Sequence, residues 1–121
     1  MDDIKKYCRT PIIDLVGKLK LEETVGIMKK MKLFVCTNGG LMWISAALGL
    51  PTVVVSGPTP YWWDTNTSNS ITIRNTGRAF YHQDKYSWTQ HARTDDISVK
   101  DVVSAIKKLW GNYEKNRHNN L

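Results

Sequence analysis

The sequence predicts an α/β domain: a parallel, Rossmann-like sheet with flanking helices. Three observations carry this expectation. Continuous apolar runs recur at residues 33–36 and 53–55, helical periodicity fills the stretches before and between them, and the joints are short and rich in glycine. Strands covered on both faces read as unbroken apolar runs. Strand-helix alternation with short connections favours parallel units with right-handed crossovers.

The length of 121 residues suits one modest core and not two, so residues 1–121 are read as a single domain. At 41% hydrophobic and 23% charged, the composition is that of a soluble globular chain. There is no apolar run long enough to span a bilayer and no apolar leader after Met1-Asp2-Asp3, which points to the cytoplasm. Cys8 and Cys36 stand far apart in no metal-like spacing and read as free thiols. The net charge of +6 permits an anionic partner. Its lysine pairs lack interleaved aromatics, which argues against nucleic acid and leaves a phosphate-bearing small molecule or an acidic membrane surface.

Taken in order, the residues up to Thr10 are polar and give no clear signal. The run Pro11 to Val16, closed by Gly17, reads as a strand or its last part. Leu21, Val25 and Met28, with Thr24, Ile27 and Met31 alongside, form a helical face, with Glu22 and Glu23 at its start and Lys29 and Lys30 at its end, as the helix dipole favours. Residues 33–36 read as a buried strand. Residues 40–48 are apolar nearly all round and read as a buried helix that stops at Gly49-Leu50-Pro51. Residues 53–55 form the next strand. A long loop follows with Tyr61-Trp62-Trp63, and Ser70–Arg74 alternates as a further strand. Residues 75–96 carry little periodicity. A last helix starts at Ser98, a suitable N-cap with Asp101 three residues on. Its apolar stripe is Val99, Val102, Val103, Ile106, Leu109, Trp110 and Tyr113. Residues 112–121 read as a polar tail, frayed from Asn116.

The chemistry concentrates at Thr37-Asn38-Gly39-Gly40, where a strand turns into a helix. The first N–H groups of a helix have no partner within it, the dipole there is positive, and glycine lets a phosphate approach the backbone. In open α/β sheets, ligands sit beyond the carboxyl ends of the strands. The two glycines serve equally well as a tight turn under a buried helix. The Tyr61-Trp62-Trp63 cluster could stack a sugar ring or nucleobase, or could cover a sheet edge or an interface to another domain. Asp64 beside it could contact sugar hydroxyls. His82 and His91 have no metal-ligand spacing with a cysteine or acid, so no metal is expected.

Three stretches then fall in register: Leu15-Val-Gly-Lys-Leu-Lys-Leu-Glu-Glu23, Val35-Cys-Thr-Asn-Gly-Gly-Leu-Met-Trp-Ile-Ser-Ala-Ala-Leu-Gly-Leu-Pro51, and Gly57-Pro-Thr59. In order and spacing, residues 15–59 resemble the C-terminal domain of glycosyltransferase family 9, the ADP-heptose:lipopolysaccharide heptosyltransferases. The resemblance implies a GT-B architecture, of which this chain would be most of the C-terminal, donor-binding half. A missing N-terminal domain or partner chain would then supply the acceptor site and the catalytic acid or base.

It implies a nucleotide-diphosphate sugar as donor, a lipopolysaccharide or other glycan as acceptor, and no cofactor. The diphosphate would lie on the backbone of Gly39, Gly40 and Leu41, with Thr37, Asn38 and Thr59 nearby and the main chain around Leu19 lining the nucleobase pocket. The family's acidic position is Asn38 here, its following Ser or Thr is Gly39, and its histidine is Trp43. These departures open a second reading, a non-catalytic binding module that keeps the fold. The resemblance also admits peripheral contact with the inner face of the inner membrane.

Overall fold

The computed structural model describes residues 2–57, 61–74 and 97–119. The elements run α1 (Asp2–Tyr7), α2 (Leu21–Met28), β1 (Phe34–Thr37), α3 (Gly40–Ala47), β2 (Thr52–Ser56), a 3-10 turn (Tyr61–Trp63), β3 (Ser70–Arg74) and α4 (Val99–Asn119). Among the described residues, three strands form one parallel sheet in the order β1-β2-β3. The α/β, Rossmann-like expectation therefore holds.

The central strand owes its place to its residues. Thr52, Val53, Val54 and Ser56 are all buried, as a strand covered on both faces requires. Successive side chains point to opposite faces. Val53 meets Ala105 and Leu109 of α4 in the core, with Ile71 and Ile73 of β3 and Leu33 packed around them. The polar members of β2 are satisfied locally: Thr52 Oγ1 donates to the Leu50 carbonyl at 2.8 Å and Ser56 Oγ to the Gly57 carbonyl at 3.2 Å.

Helix α3 ends in a Schellman motif. Gly49 takes a left-handed φ of +64°, its N–H donates to the Ala46 carbonyl, and the Leu50 N–H donates to the Ser45 carbonyl. At the other end of the chain, Ser98 caps α4: the Asp101 N–H donates to Ser98 Oγ at 3.1 Å.

Several expectations need correction. Residues 11–16 form no strand, because their polar groups are used locally. The Val16 N–H donates to Asp14 Oδ1, and the ammonium groups of Lys5 and Lys18 reach Asp14 Oδ2 and the Asp14 carbonyl. The turn closes at Gly17 with φ +68°. Lys5 reaches Asp14 from α1, a helix too short and polar to announce itself.

Among the described residues, strand β1 lies at one end of the sheet and is not fully buried, with Val35 43% exposed. Helix α3 is not buried all round either. It buries Met42 and Ser45 while Leu41 and Trp43 face outward. Helix α4 extends past Asn116 to Asn119, and of its expected stripe Leu109 is buried while Val99 is exposed. The expectations for residues 75–96, including His82 and His91, lie outside the described residues.

Candidate functional site

Because all three strands are parallel, their carboxyl ends share one edge. Thr37 is level with Val55, Val55 with Ile73, and Ser56 with Arg74. Asn38 and Gly57 leave the sheet one residue beyond β1 and β2, and they meet. Asn38 Oδ1 accepts a hydrogen bond from the Gly57 N–H at 3.1 Å. A side chain from one loop thus ties down the backbone of the next. The same bond fixes which end of the amide is which, since only the oxygen can accept. Asn38 Nδ2 is left buried without a hydrogen-bond partner among the described residues.

Past Asn38 the chain enters α3 with no side-chain cap. Gly39 is the N-cap residue, extended at φ 169° and ψ −174°, and no acid occupies the first turn. The Met42 N–H makes the first turn's bond, to the Gly39 carbonyl at 3.1 Å. The earlier amides, at Gly40 and Leu41, point out of the helix end as donors, and the dipole makes this a positive corner. Among the described residues, nothing lies within 4 Å of a Cβ built on Gly39 or Gly40.

Thr37, Asn38, Gly39, Gly40 and Leu41 are thus continuous around this corner. Leu19 is half-buried in the segment leading to α2, where the Glu23 carboxylate accepts from the Lys20 N–H at 2.8 Å. No hydrogen bond joins Leu19 to the corner among the described residues. Thr59 lies outside the described residues. Trp43 is 53% exposed in the first turn of α3, while Trp62 and Trp63 of the 3-10 turn are half exposed.

Asp64, a candidate for sugar hydroxyls, is paired with the Arg74 guanidinium at the end of β3. That pair and the Asn38–Gly57 bond were not foreseen. The only sequence signal for the latter is a polar residue and a glycine, each one step past a strand that pairs with the other.

The other chemistry-bearing groups are quieter. Cys8 and Cys36 are free thiols, and burial pushes the Cys36 thiol up from its ordinary value, away from reactivity. Among the described residues no group of histidines, cysteines or acids could hold a metal ion, and no helix is long and apolar enough to cross a membrane. A cavity of about 190 Å³, lined by Met28, Lys32, Leu48, Pro51 and Tyr113 among others, opens near the amino ends of β1 and β2. It is at the wrong end of the strands for the corner.

Comparison with known proteins identifies a family. The model of glycosyltransferase family 9 (heptosyltransferase) matches residues 1–92. Lipopolysaccharide heptosyltransferase 1 of Campylobacter coli is 26% identical over 104 residues. That alignment covers 82% of this chain and 29% of the relative, so the chain spans less than a third of that protein's length. No solved structure matches. The family model takes in the whole corner, the central strand and β3, and the chain is a glycosyltransferase-like domain belonging to glycosyltransferase family 9.

Proposed function

We propose that the chain is the donor-binding lobe of a GT-B glycosyltransferase, taking a nucleotide-diphosphate sugar of the ADP-heptose type for transfer to lipopolysaccharide or another surface glycan. The observation that carries this is the uncapped N-terminus of α3. Open backbone donors stand at the carboxyl edge of a parallel sheet, inside the stretch that the family model matches. Preorganised donors of this kind hold a diphosphate in the ground state and stabilise it as it leaves.

In this reading Gly39, Gly40 and Leu41 hold the diphosphate through main-chain N–H groups, with Thr37, Asn38 and Thr59 beside them and Leu19 toward the base. The acceptor and the carboxylate that activates its hydroxyl come from an N-terminal domain or a partner chain. The workplace is the cytoplasmic side of the inner membrane, with peripheral contact.

The test is titration of the folded chain with ADP and ADP-sugars, followed by amide NMR. The expected result is saturable shifts at Gly39, Gly40 and Leu41. A folded chain whose amides ignore every nucleotide-sugar offered would sink the proposal.

A second reading, a binding module without transfer, is favoured by Asn38, Gly39 and Trp43 at positions where the family has polar or acidic groups. Asn38→Asp in the full-length protein separates the two. Transfer that rises with the acid speaks for the enzyme, and transfer absent in both forms speaks for the module.

A further inference from the structure

The geometry points to Asn38 as a self-modifying position, an asparagine that deamidates in the folded protein to aspartate and isoaspartate. Four observations meet there. No other asparagine in the chain precedes a glycine. The Gly39 N–H has no hydrogen-bond partner among the described residues, and Gly39 is exposed, so water can reach the attacking nitrogen. Asn38 Oδ1 is held by the Gly57 N–H at 3.1 Å. Asn38 Nδ2, the atom that must leave, has no hydrogen bond to break.

The chemistry needs only water. The Gly39 main-chain nitrogen gives up its proton to solvent and bonds to Asn38 Cγ, and the electron pair of the carbonyl moves onto Oδ1. The Gly57 N–H already donates to that oxygen and meets the charge that develops on it, as one donor of an oxyanion hole does. The carbonyl re-forms, the Cγ–Nδ2 bond breaks, and Nδ2 takes up a proton and departs as ammonia, leaving a five-membered succinimide. Water then opens the ring. Breaking the new bond from Gly39 N to Cγ gives aspartate on an unaltered main chain. Breaking the bond from Gly39 N to the Asn38 main-chain carbonyl carbon gives isoaspartate, with the chain now running through the former side chain.

The surroundings favour the first product. A carboxylate at position 38 still accepts from the Gly57 N–H, no longer leaves a buried amide donor orphaned, and adds negative charge beside the positive end of α3. Isoaspartate has the opposite effect, since it lengthens the main chain between β1 and α3 and displaces the Gly39 and Gly40 amides. The reaction rests on the local structure and not on the nucleotide-sugar reading. Only its consequence for donor binding rests on that reading.

The experiment is to incubate the folded chain at mildly alkaline pH and follow each asparagine by peptide mapping, with fragment spectra to place the amide-to-acid mass change. An isoaspartyl methyltransferase assay identifies the second product. Asn38 is expected to convert ahead of every other asparagine. Gly39→Ala is expected to abolish that lead while the chain stays folded, because φ 169° is extended backbone open to any residue and the added methyl meets nothing among the described residues. The proposal is overturned if Asn38 keeps its amide while another asparagine converts, or if it converts only in denaturant. No ligand enters the measurement, so its failure is distinct from a failure of nucleotide-sugar binding.

Discussion

The two ends of the carboxyl edge are secured in different ways. At the β3 end, the Asp64 and Arg74 side chains pair while only 13% and 23% exposed. At the β1 end, a single neutral hydrogen bond joins Asn38 to Gly57, one amide donor is left over, and the helix that follows has no cap. Charge-assisted bonds are roughly twice as strong as neutral ones, so the β3 end is built to hold the chain. The β1 end holds less and leaves more donors open.

The largest effect expected from breaking this contrast is at β3. Asp64→Asn removes one charge of a shielded pair and should cost about 1.5–3 kcal/mol in denaturant unfolding, the range for hydrogen bonds to charged groups. Asn38→Ala should cost less, about 0.5–1.5 kcal/mol, because it removes a neutral bond and an orphaned donor together. Equal losses from the two substitutions would abolish the distinction between the ends.

Gly39→Ser sharpens the comparison by adding the missing cap. The hydroxyl should raise stability by a few tenths of a kcal/mol, since glycine is only slightly worse than serine at an N-cap. A loss of stability would mean that the corner is shaped by something other than the open space around Gly39.

The smallest effect tests whether charge or burial makes the β3 pair strong. Lys5 and Asp14 form an ion pair at 3.1 Å that is exposed, and the Lys5 ammonium and the Val16 N–H hold the Asp14 carboxyl below its ordinary value. A carboxylate lowered in the folded state stabilises it above the ordinary value, and the contribution is lost as pH falls through the lowered one. In acid, α1 should therefore loosen from the turn at Asp14 while the sheet stays intact, a change visible as local amide shifts. Asp14→Asn should show the loosened form already at neutral pH. If α1 keeps its place in acid, the ion pair is not what holds it.

How far the sequence could be read follows the kind of signal involved. Strands β2 and β3, the cap at Ser98 and the stop at Gly49 were legible because each is written in neighbouring residues. Periodicity misled where apolar character did not mean burial. Ile13 and Val16 are exposed in a turn organised by Asp14, and Leu41 and Trp43 lie on the outer side of α3. Val35 lies in the outer strand of the described sheet, which the run at residues 33–36 cannot reveal by itself. The corner was legible as glycines after a strand. Its hydrogen bond was not, because Asn38 and Gly57 become neighbours only when β1 and β2 pair in register.

The parallel register has a further consequence, for kinetics. Phe34 aligns with Thr52, and Thr52 aligns with Ser70, equal steps along the chain with no hairpin to start either pairing. Each closure must be completed before any ladder bond repays its entropy, so the sheet has no local nucleus of its own. The first crossover contains α3, and the second has only a 3-10 turn among its described residues. Helix formation can shorten the first search but not the second. In the order of folding, β1 and β2 should therefore meet early, and β3, where the ion pair waits, should close the sheet last.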